Sequence, residues 1–228
     1  MRPFHNLLRV PNTALRGVRA SPPRLDLQVQ SAVLSRLLSF YILLLLGLLA
    51  GCERQASFNS TDITGQTQIG STFHLPDSQG RMRQLAEFRG KVVWLFFGYA
   101  HCPDICPSTL ATMRQVHQQL GPDADKLQVI LVSLDPERDT PTLLTQYVSS
   151  FHPSFIALRP RDITELKKIT TDFKIYTEQT SGAQANSYTI DHSSGSYLFD
   201  TQGHIRLFVR HGQEVALLTK DIKLLLDE

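Results

Sequence analysis

From residue 71 onward the chain alternates between short apolar runs and amphipathic stretches, separated by turn-forming clusters. Residues 71–75 and 81–85 flank Asp77-Ser78-Gln79-Gly80 and predict a hairpin. Residues 91–97 carry Val-Val-Trp-Leu-Phe-Phe, a continuous apolar run suited to a central strand buried on both faces. Leu110, Met113, Val116 or His117, and Leu120 recur at helical spacing, so residues 107–120 predict a helix. Residues 127–134 read as a second apolar strand, and Asp139-Thr140-Pro141 opens a helix running to about Ser149. A short strand at 155–158 precedes an amphipathic helix at 162–173, with Glu165 in its first turn. Residues 174–187 read as a polar loop. Strands follow at 188–190, 196–199 and 204–209, with a turn at 200–203, and residues 213–226 form the last helix.

Strands and helices thus alternate through the middle and close on a hairpin plus a helix. That order predicts an α/β fold, a central sheet covered by helices on both faces. A β-α-β unit leading into a β-β-α ending is the thioredoxin arrangement, here with an added N-terminal β-hairpin and an inserted strand-helix. In it, the segment after residue 97 falls at the carboxyl end of a central strand, where ligands of open α/β sheets gather.

The chain before residue 71 reads differently. Residues 1–36 hold six arginines and one acidic residue, Asp26, and residues 37–50 are apolar apart from Ser39 and Gly47. A basic segment, a short apolar stretch and small residues before a cysteine predict an export signal over 1–51. The apolar stretch is shorter than the roughly 20 residues that span a bilayer. Leu49-Ala50-Gly51-Cys52 resembles the lipobox of bacterial lipoproteins, which implies cleavage before Cys52 and a lipid on its thiol. The alternative is an uncleaved signal anchor; both tether the remainder outside the cytoplasm, in the bacterial cell envelope facing the periplasm. Residues 52–70, polar and rich in Ser, Thr, Gln and Gly, read as a flexible tether, leaving 71–228 as the folded domain. The leader also carries the basic balance: of the net charge of +2, residues 1–51 supply +5 and the rest −3. No basic stripe remains to suggest nucleic acid as a partner.

The chemistry concentrates in Gly98-Tyr99-Ala100-His101-Cys102-Pro103-Asp104-Ile105-Cys106-Pro107. Pro107 lacks an N–H and is best tolerated as a first helical residue, which places Cys106 at or next to the N-cap. Both sulfurs then face the positive end of a helix dipole, which favours thiolate. A disulfide between them would close a tiny loop, a weak constraint on the unfolded chain. Reactivity or metal ligation is the better reason for the pair. Three residues separate the cysteines, one more than in the usual thiol oxidoreductase, so either a redox couple or two legs of a metal site fits. Two soft thiolates plus an imidazole suit copper and could hold zinc, for which no fourth ligand is evident. His192, in Asp191-His192-Ser193-Ser194, is the candidate imidazole. Asp191 is a candidate to orient it, or a loop cap. Asp104 is placed near the helix N-terminus or a partner, and Trp94 and Phe96 in the core.

Three blocks resemble the signatures of the Sco/SenC family: the segment 98–107, Ser133-Leu134-Asp135-Pro136-Glu137-Arg138-Asp139-Thr140-Pro141, and Asp191-His192-Ser193. Phe88-Arg89-Gly90-Lys91 is similar to the approach to its central strand. The resemblance runs from about Thr67 to the C-terminus. It implies a membrane-tethered, thioredoxin-like protein that binds one copper ion, Cu(I) or Cu(II), through Cys102, Cys106 and His192. It also implies a role at the dinuclear copper centre of cytochrome c oxidase, either delivering copper to the copper-binding subunit or keeping its cysteines reduced. In the second role Cys102 and Cys106 are the catalytic redox pair. In the first they need a thioredoxin-like reductant, because an oxidising compartment favours the disulfide. A peroxidase of related fold fits less well, since it would want one dominant nucleophile.

Overall fold

Val92–Gly98 (β4) is buried along its whole length, and its side chains divide by parity between two apolar layers. This computed structural model describes residues 36, 38–41, 57–181 and 187–228. The chain divides into two units, Met1–Gln55 and Ala56–Glu228. In the first, residues 36 and 38–41 are helical and exposed. Among the described residues no helix is long and apolar enough to cross a membrane. Cys52 and most of the expected export signal lie outside the described residues.

The second unit is built on a six-stranded sheet. Its strands are Thr61–Asp62 (β1), β4, Leu127–Ser133 (β5), Ile156–Leu158 (β6), Ser196–Phe199 (β9) and Ile205–Val209 (β10), in the order β1-β10-β9-β4-β5-β6. β4, β5 and β6 run parallel, with Val92 opposite Leu127 and Gly98 opposite Ser133. β9 joins β4 antiparallel, followed by β10 and β1. Trp94 and Phe96 face Ile105–Leu120 (α1), Pro141–Phe151 (α2) and Val215–Leu226 (α4). Val93, Leu95 and Phe97 face Ile163–Asp172 (α3) and the hairpin of His74–Pro76 (β2) and Met82–Gln84 (β3). This is the expected α/β arrangement with its N-terminal hairpin and inserted strand-helix. Trp94 is a core residue, and its indole N–H donates to Ser196 Oγ at 2.7 Å. Helix α2 starts where the sequence indicates: Thr140 Oγ1 accepts from the Leu143 N–H, and Pro141 occupies the first helical position.

Two parts differ from the sequence expectation. The described end of the expected tether, residues 57–70, packs onto the domain. Asp221, fully buried on α4, accepts the Asn59 and Ser60 backbone N–H groups at 2.8 Å each, and β1 pairs with β10. Ile63 and Ile69 rest against the lower core, and the Gly70 N–H reaches the Asp172 carbonyl at 2.6 Å. A polar segment anchored through backbone bonds shows no hydrophobic period, so composition alone reads it as linker. The second difference lies in 174–187, expected as a loop. Thr177–Ser181 (β7) pairs antiparallel with Tyr188–His192 (β8) in a separate two-stranded sheet. All five residues of β7 are exposed, so it lacks the apolar alternation that marks a half-buried strand.

Candidate metal centre

The chain leaves β4 at Gly98, turns through residues 99–104 and enters α1 at Ile105, with Asp104 as N-cap. The helix therefore begins two residues before the expected Pro107 start. Cys106 is the second helical residue and Pro107 the third. Proline is accommodated there because the first four N–H groups of a helix have no partner within it. One of those orphan donors, the Cys106 N–H, points at Cys102 Sγ, 3.4 Å away. The turn is closed by the Cys102 N–H donating to the Tyr99 carbonyl at 3.2 Å. Both cysteines are free thiols; Cys106 is fully buried and Cys102 only partly.

His192 ends β8 and arrives from 86 residues further along the chain, with Nε2 at 3.6 Å from Cys106 Sγ. Its Nδ1 lies 2.8 Å from the Ser193 carbonyl oxygen, which can only accept. The proton of the neutral ring is thereby placed on Nδ1, and the Nε2 lone pair faces the sulfurs. The edges of Phe96 and Tyr99 flank the ring, with centroids at 6.4 and 6.0 Å. Asp191 does not orient His192. It is exposed, and its carboxylate accepts from Thr180 Oγ1 at 3.1 Å across the hairpin. The orienting group is the Ser193 carbonyl, a backbone acceptor that residue types do not announce.

One ligand atom each from Cys102, Cys106 and His192 lies within 4.8 Å of the others, so the three residues the sequence singles out meet in space. Bonds of about 2.0–2.3 Å to a shared ion require donor separations of about 3.5–4 Å, and the sulfur–nitrogen spacing already meets this. Room for the inner sulfur comes from Gly98. A Cβ at that position would lie 2.7 Å from Cys106 Sγ and 2.9 Å from the Phe96 ring. A glycine closing an otherwise unbroken apolar strand is the sequence signal for such an approach.

The two thiols titrate apart. Cys102 is lowered to about 5, chiefly by the hydrogen bond from the Cys106 side chain, with backbone N–H groups of Asp104 and Cys106 adding to it. Cys106 is pushed up by the neighbouring Cys102 sulfur and by burial. At neutral pH the pair holds one proton, with the thiolate outside and the thiol inside. Iodoacetamide is therefore expected to modify Cys102 with an apparent midpoint near 5, against about 8.5 for a free thiol. Peptide mapping after alkylation at graded pH should find Cys106 protected while the fold is intact. A midpoint at the ordinary thiol value would contradict this charge separation.

A second group, His101, Asp135 and Asp139, also brings its polar atoms within 4.8 Å. Its carboxylates are already engaged. Asp139, fully buried, accepts from Ser133 Oγ at 2.6 Å and from the Ala100 N–H at 3.2 Å. Burial holds its carboxyl above the ordinary range. Asp135 accepts from the Arg138 guanidinium and, at 2.8 Å, from the Tyr188 hydroxyl. The segment 133–141 therefore braces the cysteine loop as well as starting α2. His101 is half exposed, with its Nδ1 3.8 Å from an Asp139 carboxylate oxygen.

The SCO1/SenC family pattern matches residues 61–227. The mitochondrial SCO2 homologue of Bos taurus is 32% identical over 181 residues, covering 78% of this chain and 68% of its own. The copper-bound structure of Bradyrhizobium japonicum ScoI is similar with a TM-score of 0.62 at 35% identity, over 68% of this chain and 98% of its own. BsSco shares the fold at 18% identity and a TM-score of 0.56, over 75% of this chain and 98% of its own. It is described as a member of the Sco family of cytochrome c oxidase assembly proteins with a disulfide switch. A match across nearly the whole second unit, meeting a thiol pair and imidazole at the carboxyl end of β4, places this chain in the SCO1/SenC family.

Proposed function

We propose that this chain is a membrane-tethered copper chaperone that binds one copper ion through Cys102, Cys106 and His192 and passes it to the copper-binding subunit of cytochrome c oxidase. The observation that carries the reading is the convergence of two sulfurs and an imidazole whose Nε2 faces them. Two thiolates and one imidazole suit Cu(I), which accepts three ligands. Cys102 already supplies a thiolate, so loading expels one proton, that of Cys106. Cys102 and His192 border an open cleft with Pro103, Asp104 and Ile105. An incoming sulfur can enter there and exchange for a ligand without unfolding the site.

The tether is the lipid on Cys52, and residues 1–51 are the export signal removed before it. In the periplasm the dithiol would drift to the disulfide, so a thioredoxin-like reductant is the second partner. A net charge of −3 beyond residue 51 gives no footing for nucleic acid. The thiol-disulfide oxidoreductase reading keeps one specific support, the outer low-pKa Cys102 backed by a buried Cys106, the usual order of attacking and resolving sulfurs.

Anaerobic titration of the reduced chain with Cu(I) tests the reading. One equivalent is expected to bind, and the disulfide form should bind at least about 100-fold more weakly, having lost both thiolates. Equal binding by both forms would overturn the chaperone and leave the redox couple.

A further inference from the structure

The strand that carries His192 belongs to the two-stranded sheet β7–β8, which among the described residues shares no ladder with the six-stranded sheet whose β4 leads into the cysteine turn. Something else must set the imidazole over Cys106. In a strand, positions i, i+2 and i+4 share one face. Tyr188, Ile190 and His192 are such a set, and the first two are pinned to the body of the domain. Arg138 Nη1 donates to the Tyr188 carbonyl at 2.9 Å, and its guanidinium lies 3.4 Å from the Tyr188 ring centroid. Asp135, 2% exposed, holds that guanidinium through Nε and accepts the Tyr188 hydroxyl at 2.8 Å. Ile190 donates its N–H to the Tyr99 hydroxyl at 3.0 Å and packs against the upper core.

We infer that Arg138, held by Asp135, is a positioning residue: it clamps β8 at Tyr188, so that His192, one turn of the pleat beyond Ile190, stays within bonding range of the sulfurs. The inference deepens and rests on the copper reading above. Helix capping at Thr140 leaves Arg138 unexplained, because Thr140 and Pro141 start α2 without it. A solvated surface ion pair does not describe it either, since Asp135 is buried and Arg138 Nη2 is buried with no partner among the described residues. A fork pressed onto an aromatic face and a backbone carbonyl is a task for arginine in particular. The clamp acts at β8, four residues before the imidazole, and touches neither sulfur.

The test is anaerobic Cu(I) competition on the reduced full chain, comparing wild type with Arg138→Gln, Tyr188→Phe, His192→Ala and the Arg138→Gln/His192→Ala double variant. Arg138→Gln is expected to weaken binding about 10-fold, the lower end for residues that orient a metal ligand. Tyr188→Phe, which removes one hydrogen bond and keeps the ring, should weaken it about fivefold. In the His192→Ala background Arg138→Gln should cause no further loss, because a clamp that acts through the imidazole has nothing left to position. X-ray absorption of copper-loaded Arg138→Gln should show weakened imidazole scattering beside unchanged sulfur scattering. General destabilisation would instead lower affinity equally in both backgrounds, and that result, or wild-type affinity in Arg138→Gln beside a weakened His192→Ala, overturns the clamp. Should Arg138→Gln not fold, Tyr188→Phe decides alone by the same comparison. If His192→Ala binds copper like wild type, the copper reading itself has failed, a separate outcome.

Discussion

His192→Ala weakens Cu(I) binding by roughly 100-fold, the upper end of what loss of a residue that merely orients a ligand produces, while disulfide exchange at Cys102 continues within about twofold of the wild-type rate. The two halves of this expected result follow from one geometry. The imidazole lies with Nε2 at 3.6 Å from Cys106 Sγ, and no other histidine or carboxylate joins that group among the described residues. The Cys102 thiol is lowered chiefly by the Cys106 side chain and by the backbone N–H groups of Asp104 and Cys106. Removing the ring therefore takes away the nitrogen of that group and leaves the thiolate. Copper competition and a dithiol–disulfide exchange assay on the same preparation check both halves. Loss of exchange with copper affinity retained would reverse the ranking and make the protein an oxidoreductase.

Gly98→Ala is the second large expectation, and it acts on stability and site together. The added methyl would lie 2.7 Å from Cys106 Sγ and 2.9 Å from the Phe96 ring, closer than real Cβ contacts come. Neither neighbour has a free direction. Phe96 is fully buried in β4, and Cys106 is held in the first turn of α1. Overpacking a close-packed core in this way costs about 1–3 kcal/mol. A lowered denaturant midpoint with unchanged slope should report it. Because Cys106 Sγ is one of the two atoms the methyl would press on, copper affinity should fall as well. A Gly98→Ala chain with wild-type midpoint and affinity would show that the backbone can withdraw from the cysteine. Arg138→Gln, by contrast, touches neither sulfur, and its effect should pass through the imidazole alone.

The local chemistry of this protein is written in consecutive residues. The apolar run of β4, the Asp-Thr-Pro start of α2 and the paired cysteines need only their own neighbours to be read, because strand burial, helix capping and dipole effects act over a few positions. Even there the helix register slipped. The sequence favours Pro107 as the first residue, whereas the free N–H groups of the opening turn let α1 begin at Ile105. Residue type and family resemblance point to His192, and no period in its surroundings does. Adjacency makes Asp191 a candidate either to orient that ring or to cap the loop, and the fold turns its side chain across the hairpin to Thr180.

By itself the sequence determined that the chain is an α/β domain with two thiols at the end of a central strand, since burial periodicity and a helix start are properties of contiguous residues. Only the tertiary structure decided that residues 57–70 belong to the domain, that β7 exists, and that Arg138 grips β8 from 50 residues away. Those contacts run through backbone amides, carbonyls and ring faces, groups that every residue or any tyrosine carries. Their meeting depends on how a distant hairpin docks, a choice made by the packed fold and invisible in the order of side chains.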